Sequence, residues 1–162
     1  MSPFRAAWPG LLGLVILLFG LQSLSTGIQS GYAGELADHV RTSSIPNAIG
    51  IILLLTAVAI WRRTRAGLAL GLAVGALGVA SGIAVFVLEI PFLQGGGEGA
   101  SFAVPVMVIV AVWSLIWLLF TWRLWKARST FSPAWVRADR LMAVAVAGIA
   151  IVATGLYVGI GQ

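Results

Sequence analysis

Few residues in this chain of 162 could do chemistry, and most of them fall in one stretch. Glu35, Asp38, His39 and Arg41 lie between Gly34 and Pro46. If that stretch is a short helix lying on the membrane surface, Glu35 and His39 are four apart and share a face, while Asp38 and Arg41 are three apart. A carboxylate and an imidazole so placed can hold a divalent cation or exchange a proton. Glu89 and Glu98 fall in the next loop on the same side and would complete a set of four oxygen or nitrogen ligands. The simpler reading is a solvated, salt-bridged loop helix, and it is preferred, so no metal is assigned. With one histidine and no cysteine, a multi-His metal site, bis-His haem, thiolate catalysis, disulfides and iron–sulfur ligation cannot be built from these residues alone.

A second candidate is aromatic. Trp113 and Trp117 are four apart in a bulky apolar run and so share one helical face. They fall at mid-span, whereas a tryptophan usually sits at the interface. Such a face could line a cavity for a quinone, a carotenoid or a lipid tail. An aromatic stripe at helical spacing is more often plain packing, and that reading comes first. Catalytic signatures are missing: there is no G-x-S-x-G, H-E-x-x-H or phosphate-binding glycine loop. The Gly95–Gly97 tract is a turn after Pro91, with no strand before it. Nothing in the chain selects a cofactor.

The elements that carry these residues follow from composition. Apolar residues make up 60% of the chain and charged ones 9%, and mean hydropathy is +1.03. Soluble domains run near 45–50% apolar and about 25% charged. Soluble enzymes, disordered tails and coiled coils are thereby excluded, and what remains is an all-α polytopic membrane domain. An apolar helix needs about 20 residues to cross about 30 Å of hydrocarbon. Five runs qualify, at about 8–24, 45–61, 66–88, 103–122 and 141–160. Strands are not an option, because lone backbone amides stay unpaired in lipid. Ser43 or Ser44 is expected to cap the second span with Pro46 in its first turn, and Glu89 with Pro91 to close the third. The first run also fits a secretory signal, with Arg5, an apolar core at 11–21, and small Ser23 and Ser25. Cleavage there would leave four spans.

Charge placement orients the bundle. One side carries nine basic residues (Arg5, Arg62, Arg63, Arg65, Arg123, Lys126, Arg128, Arg137, Arg140) against Asp139. The other carries Arg41 against Glu35, Asp38, Glu89 and Glu98. The positive-inside rule then puts the N-terminus in the cytoplasm and the C-terminus outside, and the expected location is the plasma membrane of a bacterium or archaeon. The second and fourth spans share a β-branched residue before proline at one end and Trp-Arg at the other. Interface chemistry alone accounts for that likeness.

The pI of about 11.2 would suggest nucleic acid in a soluble protein, but here the basic residues flank spans, so no nucleic-acid role is expected. Arg62, Arg63, Arg65, Arg123, Lys126 and Arg128, interleaved with tryptophans, are expected to meet anionic lipid headgroups, with docking of a cytoplasmic partner as the alternative. The spans hold almost no ionisable group, which argues against proton or ion coupling. Helix-packing surfaces, in contrast, abound. Gly67, Gly71, Gly75, Gly78 and Gly82 line the third span at mostly four-residue spacing, and Gly148, Gly155 and Gly159 mark the fifth. These two spans are the expected tightly packed centre. The favoured reading is a non-enzymatic component that self-associates or joins other membrane subunits. A small transporter entered at the outer loop, and an enzyme or binder of a lipophile, are the alternatives.

Overall fold

A computed structural model describes residues 3–30, 36–94 and 98–159, with backbone alone at 3–8, 27–30, 36–39, 41, 92–94 and 98–102. The described residues form five α-helices: α1 (Pro3–Ser30), α2 (Leu36–Trp61), α3 (Arg65–Gln94), α4 (Glu98–Lys126) and α5 (Arg137–Gly159), with a 3-10 turn at Arg128–Thr130. Each helix contains a stretch long and apolar enough to cross a membrane. No strand occurs among the described residues.

All five helices outrun the apolar windows read from sequence. The stretch expected as a separate surface helix is the first turns of α2, which passes through Pro46 without a break. Pro91 likewise lies inside α3, and Pro105 inside α4. Ser43 and Ser44 are therefore interior to α2 and cap nothing at its start. The apolar run sets the least length of a span, and backbone hydrogen bonding carries the helix past it. A proline then costs one bond, which membrane helices tolerate.

The chain divides into two compact units, residues 1–70 with 127–162, and residues 71–126. In the first unit α1 and α2 run antiparallel in close contact. Gly20 faces Gly50 and Leu53, and a Cβ on Gly20 would stand 3.1 Å from the Gly50 carbonyl oxygen. Gly13 sits under the Trp61 ring. The Trp61 Nε1–H donates to the Gly10 carbonyl at 2.8 Å, and the Ser23 hydroxyl donates to the Pro46 carbonyl at 2.7 Å. Missing side chains let the two backbones approach, so dispersion contacts hold the pair where lipid removes any hydrophobic drive. α5 packs on α2, whose Thr56, Ala57, Ala59 and Ile60 are fully buried.

In the second unit α3 and α4 are antiparallel. Gly75 receives Thr121, Gly78 receives the Trp117 ring, and Gly82 receives Ser114. The fifth helix differs from α3 in what its glycines meet. Gly148, Gly155 and Gly159 meet nothing within 4 Å, and only Asp139 and Ala153 of α5 are buried. Among the described residues, glycines allow close approach of α1 on α2, at the α2–α3 turn, and of α3 on α4.

Candidate functional site

The turn from α2 to α3 shows how local chemistry builds a fixed point. Arg63 takes φ +52°, the left-handed conformation that glycine usually supplies. Its N–H donates to the Ile60 carbonyl at 2.9 Å, and the Thr64 N–H to the Ala59 carbonyl at 3.1 Å. That pair of bonds is a Schellman C-cap, with arginine where glycine is the rule. Thr64 then caps α3: its hydroxyl oxygen accepts the Gly67 N–H at 3.0 Å. Gly67 is required there, since a Cβ would collide with the Ala59 carbonyl group and the Ile60 nitrogen.

Asp139 ties this turn to α5. One carboxylate oxygen accepts the Val136 N–H at 3.2 Å and the other accepts the Ala66 N–H at 3.4 Å. The first bond is the reciprocal half of a capping box, reaching back from the third helical position. The second satisfies an orphan donor in the first turn of α3. One buried acid thus serves two helix N-termini, where its charge also suits both macrodipoles. The Ser132 N–H donates to the Arg63 carbonyl at 2.9 Å, and Phe131 is buried. The loop after α4 is therefore folded down, with Arg62, Arg63, Arg65 and Arg128 left exposed around it.

Asp139 entered the sequence reading only as the lone acid in a basic loop. Its signal was present: an acid three residues after the last non-helical position, in a first turn otherwise basic through Arg137 and Arg140. Gly13, Gly20 and Gly50 were also passed over. The seven-residue spacing of the first two is a helical-face signal.

Of the outer polar cluster, Glu35 lies outside the described residues, and Asp38, His39 and Glu98 are described in backbone only, the first two in the opening turn of α2. Glu89 lies within α3, partly exposed, about 36 Å along the axis from Arg65 at 1.5 Å per residue. That exceeds a hydrocarbon core of about 30 Å. Among the described residues no three His, Cys, Asp or Glu side chains come together as a metal set.

Trp117 is buried over Gly78, with Trp113 edge-on to it at 5.7 Å and Phe120 at 5.5 Å. The hydroxyls of Ser114 and Thr121 donate to carbonyls of their own helix, Val110 at 2.9 Å and Trp117 at 2.8 Å. Gly71 is buried. Arg123 and Lys126 are exposed at the end of α4, with the Lys126 Nζ 4.0 Å and the Arg123 Cζ 5.1 Å from the Trp122 ring centroid.

Helical in all of its described regular structure and with five helices long and apolar enough to span a membrane, the chain is of the class of all-α, multi-pass integral membrane proteins. No protein-family model, curated protein or solved structure matches it.

Proposed function

We propose that this protein is a non-enzymatic component of a membrane assembly that self-associates through one face of α5. The observation that carries the reading is a contrast between glycines. Among the described residues, those at 13, 20, 50, 67, 75, 78 and 82 each lie against another element of the chain, while Gly148, Gly155 and Gly159, like Gly10 of α1, meet nothing within 4 Å. At 100° per residue the three α5 glycines fall within about 40° of one another, and Leu141, Val144, Ile151 and Val152 lie within about 60° of Gly148. Val144 and Ile151 are 70% and 72% exposed. The face thus alternates large aliphatic knobs with glycine gaps, and Gly155 and Gly159 have the four-residue spacing of close helix pairs. A glycine against lipid gains no contact and costs the helix about 1 kcal/mol relative to alanine, so a helix facing only lipid would not need them.

Orientation belongs to the same reading. The basic loops favour a reading with the N-terminus in the cytoplasm and the C-terminus outside, in the plasma membrane of a bacterium or archaeon. α1 is a retained span, since its loss would uncover Gly50 and the Trp61 ring, and the intact mass of the purified protein tests this.

The test of assembly is the mass of the protein in mild detergent by native mass spectrometry. A homo-oligomer that Gly155→Leu converts to monomer is the expected result. A monomer in both cases, or a stoichiometric foreign subunit with no self-pairing, would overturn self-association.

A further inference from the structure

We infer that the α2–α3 turn and the start of α5 together form a docking surface for the headgroups of anionic phospholipids, taking more than one phosphate at a time. It rests on other residues than the assembly face of α5.

The charge gathered at one fixed point carries the inference. The Asp139 carboxylate and the Ser132 N–H fasten the start of α5 and the loop before it to the turn, through the Ala66 N–H at 3.4 Å and the Arg63 carbonyl at 2.9 Å. Arg62, Arg63, Arg65, Arg128, Arg137 and Arg140, all exposed, are thereby gathered about a single buried acid. Six cations against one anion leave a charge of +5, and the sum holds whichever arginine Asp139 or a backbone group engages.

No other acid can reach that point. The chain has five acids in all. Asp38 lies about 34 Å along α2 from Trp61, and Glu35 is joined directly to Leu36 at the far end of that helix. Glu89 lies about 36 Å along α3 from Arg65. Glu98 follows Gln94 by four residues, at most about 15 Å of extended chain, and Gln94 is about 43 Å along α3 from Arg65. Helix length and chain connectivity thus hold every one of these acids about 28 Å or more from the turn, beyond a Debye length of about 10 Å.

The electrostatics of the fold oppose three of these arginines. Arg65 and Arg137 open α3 and α5, and Arg140 is in the first turn of α5, where the macrodipole favours an anion over a cation. A bound anion relieves that repulsion. The surface lies where three apolar windows end, at Trp61 of α2, Arg65 of α3 and Arg137 of α5. Trp61 and Trp135 are 43% and 45% exposed, and an exposed indole at the end of a span sits at headgroup depth. The anion met at that depth is a lipid phosphate, which a guanidinium binds through two parallel hydrogen bonds. One phosphodiester neutralises only a fifth of the charge, so several headgroups bind together.

The experiment is a thermal-stability titration of the full-length protein in mild detergent, with phosphatidylglycerol, phosphatidylcholine or inorganic phosphate added. Saturable stabilisation by phosphatidylglycerol alone is expected, with more than one such lipid retained per chain in native mass spectrometry. At about fivefold per basic residue near an anionic surface, the pair Arg62→Gln with Arg65→Gln should raise the half-saturating concentration about thirtyfold, as should Arg137→Gln with Arg140→Gln. All four side chains are exposed, so the lipid-free melting temperature should hold or rise slightly. Arg41→Gln, about 30 Å along α2 from Trp61, should leave the titration unchanged. Equal stabilisation by phosphatidylcholine, either pair within about twofold of the parent, or the same loss in Arg41→Gln would overturn the surface. Stabilisation by millimolar inorganic phosphate, or displacement of the lipid by an acidic peptide, would overturn lipid as its occupant.

Discussion

Replacing Asp139 by alanine should loosen the contact between the α2–α3 turn and the start of α5. Its two oxygens accept N–H groups from Ala66 at 3.4 Å and Val136 at 3.2 Å. Hydrogen bonds to a charged group are worth about 1.5–3 kcal/mol each, but both are long, so about 1 kcal/mol apiece is the better figure. The Ala66 N–H is buried and would be left with no acceptor. Two helix N-termini also lose a favourable charge, at about 0.3–1 kcal/mol each. Against this stands the cost of holding a buried carboxylate, which the variant no longer bears. The net expectation for Asp139→Ala is a loss of about 2 kcal/mol. Asp139→Asn keeps one acceptor oxygen without the charge and should lose about half of that. Equilibrium unfolding in mixed detergent–dodecyl sulfate micelles measures both. A double loss with the ranking Ala above Asn supports the clamp. An alanine variant within about 0.5 kcal/mol of the parent, the usual range of a surface change, would refute it.

Other outcomes follow from the same geometry and the same unfolding assay. Gly67→Ala forces a methyl against the Ala59 carbonyl and should cost about 1–3 kcal/mol, whereas Gly10→Ala, with open space around it, should be neutral or gain up to about 1 kcal/mol. Arg63→Gly relieves a left-handed arginine and should stabilise by about 1 kcal/mol, while Arg63→Val should destabilise by more than that. Trp117→Ala opens a cavity over Gly78 and should cost about 3 kcal/mol or more. Gly78→Leu added to it should restore part of the loss, so additive costs in the double variant would deny that the ring and the glycine share one space.

The five spans were legible because a run of about 20 apolar residues has one stable form in hydrocarbon. Their ends were not. Residues 36–44 are polar enough to read as loop, Pro46 as a first turn and Pro91 as a stop, yet helix continues through all of them. Outside the hydrocarbon the apolar signal is gone, and only backbone hydrogen bonding decides where a helix ends. Which helices pair was hidden for another reason. Gly75, Gly78 and Gly82 look the same in sequence as Gly148, Gly155 and Gly159, but the first three receive Thr121, Trp117 and Ser114, while the last three meet nothing within 4 Å among the described residues. A glycine stripe advertises a gap without naming what fills it. Asp139 was obscured by its surroundings. Among nine basic residues a single acid reads as charge balance, and only the geometry of two helix starts reveals a shared cap.

The claim that α5 pairs with a second copy is tested most directly by cysteine cross-linking in native membranes, since the chain has no cysteine of its own. Gly155→Cys and Gly148→Cys, on the open face, should form disulfide-linked dimers under mild oxidation. Ala150→Cys, exposed but about 140° around the helix from Gly155, should remain monomeric. Equal cross-linking at all three positions, or none at 148 and 155, would contradict the account.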